Sequence, residues 1–86
     1  MSSFKEFIDL TLSITDRDLL EDFLVGITTD KERAELSKRI EIIKMLLDGV
    51  PQKKIAGSLG VGIATVTRGS KELSRGRFKI LQDSRA

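Results

Sequence analysis

The chain has no cysteine and no histidine. Without cysteine there can be no disulfide, no thiolate zinc site and no thiol nucleophile. Without histidine the usual general base and the commonest metal ligand are missing as well. Catalysis would then fall to carboxylates, serine or lysine, and no convergent set of these stands out, so the expectation is a protein that is not an enzyme and needs no metal. No apolar run approaches membrane-spanning length, and the first residues carry no signal-peptide pattern. A soluble, cytoplasmic protein is therefore expected.

What is present is helical and unevenly charged. The 86 residues, 40% of them apolar, suit one domain or one protomer of a larger unit. The net charge of +2 conceals an asymmetry. Residues 1–50 hold 7 Lys/Arg against 11 Asp/Glu, which is −4. Residues 51–79 hold Lys53, Lys54, Arg68, Lys71, Arg75, Arg77 and Lys79 against Glu72 alone, which is +6. An acidic body with a basic segment is the electrostatic footprint of a polyanion binder, although a charge run by itself is more often a solvated face.

Helix punctuation divides the chain clearly. Ser3 and Glu6 have capping-box spacing ahead of Phe4, Phe7, Ile8 and Leu12. Thr15 or Asp16 can cap a second helix carrying Leu19, Leu20, Phe23 and Leu24, with Gly26 as its stop. Thr29 and Glu32 form another box, opening a long helix to about Asp48 that Gly49 ends. Pro51, the only proline, suits the first turn of the next helix, where no backbone donor is needed. Gly60 ends that helix, Val61 and Gly62 make the turn, and Ile63–Leu73 form another helix. Ser74–Gly76 break the chain before Phe78, Ile80 and Leu81. The whole reads as one all-α domain in three parts: residues 1–50 as a helical dimerisation core, 51–73 as a helix-turn-helix, and 74–86 as a short C-terminal segment.

In the long helix Leu36, Ile40, Ile43 and Leu47 share a stripe, Ile42 and Leu46 widen it, and Met45 falls on the opposite side. So much apolar girth calls for burial on several sides, which a second protomer would supply; an intertwined homodimer is expected. Arg39 projects into the same stripe. A buried guanidinium is costly unless it is paired, and two explanations compete: a salt bridge to an acid from another helix or a stem that snorkels to water, which this residue alone favours, and an anionic ligand held by two parallel hydrogen bonds.

Gln52–Ser70 carries the helix-turn-helix pattern. Ile55, Leu59, Val61 and Val66 form the small core between its helices, Ala56 is small where they cross, and Gly60 takes the left-handed turn. In such motifs the second helix enters the major groove. Ala64, Thr67 and Lys71 share one face of that helix, with Ile63 at its edge, and suit base edges, thymine methyls and phosphate. Lys53 and Lys54 can reach from the preceding helix. A different face holds Thr65, Arg68, Gly69 and Glu72. Gly69, at about 1 kcal/mol less favourable than alanine inside a helix, makes sense where something packs on the backbone.

The run Gly60-Val-Gly-Ile-Ala-Thr-Val-Thr-Arg-Gly-Ser70 resembles the signature of the bacterial tryptophan repressor family. The resemblance is strong from about Thr28 to Leu73. It implies an all-helical intertwined dimer that binds operator DNA as a transcriptional repressor when L-tryptophan, the corepressor, occupies a pocket beside the recognition helix. The genes controlled would be those of tryptophan biosynthesis or transport. Carried over, Arg39 would hold the ligand's carboxylate, Arg68 would cover the ring, Thr29 and Thr65 would line the pocket, and Gly69 would leave it room. Carbonyls around Ile27–Thr29 would help to hold the amino group. Ile63, Ala64 and Thr67 would face bases, while Gln52, Lys53 and Lys71 would meet the backbone or groove.

The sequence departs from the family pattern at five places. Glu72 stands where a serine is usual at the ligand's amino group, Lys53 replaces an arginine, and Pro51 replaces a serine cap. The N-terminal arm and the C-terminal segment, ending with Asp83–Ala86, are short. Glu72 keeps open a ligand-independent or differently liganded DNA-binding regulator of the same fold. A targeting module for a recombinase, or a purely protein-binding helical module, is a further alternative, and the basic segment speaks against the last.

Overall fold

The computed structural model describes residues 3–83; Ser84–Ala86, the end of the expected C-terminal segment, lie outside them. Among the described residues the regular elements are all helices: α1 Phe4–Ser13, α2 Arg17–Ile27, α3 Asp30–Leu47, α4 Gln52–Leu59, α5 Ile63–Ser74 and α6 Lys79–Asp83. The chain is thus all-α, as its punctuation predicts. None of these helices is long and apolar enough to cross a membrane. Contacts group into two compact units, residues 1–33 and 34–86, so α3 begins in the first and continues through the second.

In the first unit the caps do what their spacing predicts. The Ser3 hydroxyl accepts the Glu6 N–H at 3.3 Å, and Asp16, rather than Thr15, accepts the Leu19 N–H at 3.1 Å. The Thr29–Glu32 box is complete: Thr29 Oγ1 accepts from Glu32 N at 3.1 Å and Glu32 Oε1 accepts from Thr29 N at 2.8 Å. These bonds, together with the Arg33 charge, hold the Glu32 carboxyl below its ordinary range. Phe7 stacks with Phe4 and with Phe23, centroids 6.1 and 6.0 Å apart.

Gly26 does not stop α2. The helix runs through it to Ile27, and Thr28 is extended. The terminal carbonyls are satisfied from a distance instead. Arg33 Nη1 donates to the carbonyls of Val25 and Thr28 at 3.1 and 2.8 Å, and its other terminal nitrogen pairs with Asp30. An arginine fork at a helix C-terminus both bonds and neutralises it, so no left-handed glycine is needed.

In the second unit Ile42, Ile55 and Val66 form the buried centre, with Leu46, Leu59 and Val61 packed around it. All four residues expected to set the angle of the motif, Ile55, Leu59, Val61 and Val66, therefore share one cluster with Ile42 of α3. Complete burial of Ile55 and Val66 contributes about 1.5–3 kcal/mol each. Met45 also packs on this cluster rather than pointing away from it. Leu36 and Ile40, earlier on α3, remain about half exposed. Helix α4 starts at Gln52, so Pro51 is its cap residue rather than part of its first turn, and it offers no side-chain cap.

Gly60 has φ 64°, and the Val61 N–H reaches back to the Ala56 carbonyl at 3.1 Å. That six-to-one bond closes a Schellman end, which turns the chain sharply from α4 into α5. Replacement Gly60→Ala puts a Cβ into the left-handed region and should cost about 1–2 kcal/mol in chemical denaturation. NMR titration should find the Glu32 carboxyl protonating at lower pH than an ordinary glutamate. Because the folded value is depressed, the stabilisation is present above the unfolded-state value and is lost as pH falls through the folded one. Thr29→Ala should return the titration toward the ordinary value.

Candidate functional site

Helix α5 is placed by its contact with α3. A Cβ built on Gly69 would stand 3.1 Å from Ile43 Cδ1, 3.5 Å from Ile42 Cγ2 and 3.6 Å from Leu46 Cδ1. The feature that packs on this backbone is therefore α3 itself. Helical spacing then carries Thr65, Arg68 and Glu72 along the flank of the same contact.

Beside it opens a cavity of about 860 Å³, lined from α3 by Leu36, Arg39, Ile40, Ile42 and Ile43, and from α5 by Ala64, Thr65, Arg68, Gly69 and Glu72. The volume falls within the roughly 300–1,000 Å³ of small-molecule sites. Five of the six expected ligand residues, Arg39, Thr65, Arg68, Gly69 and Glu72, share this one cavity. The sixth, Thr29, belongs to the other unit, where its hydroxyl caps α3. Of the carbonyls expected to hold an amino group, that of Thr28 accepts from the Arg33 guanidinium and that of Thr29 from the Arg33 N–H.

Arg39 is exposed, which fits a stem that reaches water rather than a guanidinium sunk in the apolar stripe. Among the described residues no carboxylate pairs with Arg39 or with Arg68. Glu72 is the one acidic lining residue, and it is already engaged. Its Oε1 accepts from Arg75 Nη1 at 2.8 Å, and its Oε2 lies 3.5 Å from Arg77 Nε. The cavity therefore offers two unpaired guanidinium groups above an isoleucine-rich floor. That arrangement suits an anionic group attached to an apolar body: arginine binds carboxylate in a bidentate fashion and also covers flat aromatic faces.

The segment after α5 adds three lining residues that were not anticipated, Arg77, Phe78 and Leu81, and the apolar stripe of α3 adds Leu36, Ile40, Ile42 and Ile43, which were expected only as packing residues. The apolar run Phe78, Ile80, Leu81 was the only sequence signal for the first three. Ala64, expected on the base-facing side, also lines the cavity while remaining exposed.

The residues expected to meet DNA lie on α4 and α5. Lys53, Lys54 and Lys71 are exposed, and Ile63 is 47% exposed at the first position of α5. Thr67 and Gln52 are half-buried and joined: Thr67 Oγ1 donates to Gln52 Oε1 at 2.8 Å. Their side chains thus bridge α4 and α5, a link that spacing alone did not reveal. Substituting Gly69→Val drives branched carbons into Ile43 and should destabilise the fold by about 1–3 kcal/mol, read from the denaturation midpoint.

The family model described as Trp repressor protein matches residues 2–81. The chain is similar to the Trp operon repressor homolog of Vibrio campbellii, with 41% identity over 71 residues, covering 81% of this chain and 71% of the relative. It is also similar to the homolog of Vibrio cholerae, with 40% identity over 73 residues, covering 84% and 71%. The chain belongs to the Trp repressor family, a family of transcriptional regulators rather than enzymes.

Proposed function

We propose that the chain is a sequence-specific DNA-binding repressor that requires L-tryptophan as corepressor, and that it acts in the cytoplasm as a homodimer on genes of tryptophan biosynthesis or transport. The observation that carries this reading is the convergence of Arg39, Thr65, Arg68 and Gly69 on one cavity against the recognition helix. In this reading Arg39 takes the carboxylate, Arg68 lies over the indole face, and the ring rests on Ile40 and Ile43. A ligand so placed touches α3 and α5 together. It favours whichever orientation of α5 keeps both sets of contacts, and this differential contact is what links the cavity to DNA. Lys53, Lys54 and Lys71 supply phosphate contacts, while Ile63, Ala64 and Thr67 approach the groove. The role of Thr29 in the pocket rests on the family resemblance alone.

Dimer formation is supported by the apolar surface that one protomer leaves uncovered. Leu36 and Ile40 on α3 are 49% and 52% exposed, and Leu12 and Leu19 in the first unit are 80% and 62% exposed. Isolated exposed leucines are ordinary, but this many on a chain of 86 residues is surface that a second copy would bury.

The chain has no tryptophan and no tyrosine, so indole fluorescence in a binding experiment comes from the ligand alone. Titration should show tryptophan binding to the folded protein. Operator DNA should tighten that binding by the same factor by which tryptophan tightens DNA binding. Arg68→Ala should abolish the ligand's effect on DNA affinity. Lys53→Ala should weaken DNA binding across sequences and lower its salt slope by about 1. A folded protein that binds the operator equally well with and without tryptophan would be the ligand-independent regulator instead.

A further inference from the structure

Phe78 stands apart from the other aromatic residues. The chain has four phenylalanines. Phe4, Phe7 and Phe23 stack in the first unit. Phe78 belongs to the second, and it lines the cavity with Leu81. It is also the only non-glycine residue with positive φ, 63°, among the described residues. A bulky L-residue enters that region at a steric cost.

The neighbouring chain holds it there. Gly76, at φ 85°, closes the end of α5: the Arg77 N–H reaches the Glu72 carbonyl at 3.1 Å and the Gly76 N–H reaches that of Leu73 at 3.0 Å. The Glu72 carboxylate faces the Arg77 guanidinium from the same turn. On the far side Gln82 Nε2 donates to the Arg77 carbonyl at 2.9 Å, and the Phe78 carbonyl accepts the Leu81 and Gln82 N–H groups. Phe78 is thus pinned from both sides in a conformation it does not prefer. Burial within one protomer does not explain the arrangement, because the residue is still 38% exposed there. A strained, incompletely buried aromatic in a cavity wall is the pattern of a residue kept for what enters the cavity.

We infer that Phe78 is a specificity-determining residue of the ligand site, giving it an aromatic wall that selects a flat ring over an aliphatic side chain of similar charge. Glu72 acts here as a positioning residue, holding Arg77 and through it the turn that presents Phe78. The inference rests on the ligand reading above and adds to it a residue that neither the motif nor the recognition helix contains.

The test uses the full chain, with L-tryptophan and L-leucine as probes. Glycine adopts φ 63° freely, so Phe78→Gly should keep or raise the thermal midpoint while tryptophan affinity falls roughly five- to tenfold, the size of one lost aromatic contact. Phe78→Leu retains apolar volume without a ring and should narrow the preference for tryptophan over leucine. It decides the matter if the glycine variant does not fold. Glu72→Gln should weaken tryptophan binding less than Phe78→Gly does. A lowered midpoint with unchanged tryptophan affinity and unchanged preference makes Phe78 a packing residue and overturns the inference. Loss of self-association in Phe78→Leu makes it an interface residue and overturns it equally. If the wild-type protein binds no tryptophan, the ligand reading itself fails. Binding by the wild type with both variants unaffected removes this inference alone.

Discussion

Helix α5 can lie against α3 because residue 69 has no side chain. With the nearest α3 carbon 3.1 Å from where a Cβ would sit, even a methyl group there is tight. Val66, one turn earlier, is fully buried against Ile42 and Ile55, and it fixes the rotation of α5 about its own axis. Those two positions settle where Thr65 and Arg68 point. A glycine inside a helix costs about 1 kcal/mol in propensity, and burial of a single valine or isoleucine more than offsets it. Close packing thus wins over local preference, and the cavity is the space left along the edge of that contact.

Charge is distributed with the same economy. The only acid between residues 51 and 79 is Glu72, and the two arginines just beyond α5 neutralise it. The remaining cations of the segment keep their field: Lys53, Lys54, Lys71 and Lys79 toward solvent, Arg68 toward the cavity. One well-placed carboxylate therefore orders the chain after α5 without weakening the positive surface that a polyanion would meet.

The helices were largely legible in the sequence, because caps and glycines act locally. Ser3, Asp16 and the Thr29–Glu32 box announce helix starts from a few residues, and Gly49, Gly60 and Gly76 announce ends. Reading failed where distant side chains decide. Gly26 looked like a stop, but the Arg33 fork terminates α2 from outside it. Met45 looked outward on a helical wheel, yet packs on the cluster that α4 and α5 bring to α3. For Arg39 the sequence left a buried pair and a stem reaching water both open, and the second fits, because that end of the apolar stripe is uncovered in one protomer. The candidate site was legible for α3 and α5, whose residues carry the family pattern. Arg77, Phe78 and Leu81 were not, because no periodicity predicts a left-handed phenylalanine.

The hydrogen bond from Thr67 to Gln52 has a mechanical consequence. It clips the middle of α5 to the first turn of α4, while Ile55 and Val66 join the same two helices through the core. A hydroxyl–amide clip beside a fully packed contact leaves little freedom for the two helices to shear past each other. The motif therefore behaves as a rigid lever: a push on α5 moves the start of α4 with it. On the reading proposed above, a ligand in the cavity would shift α4 and α5 together rather than bend one against the other.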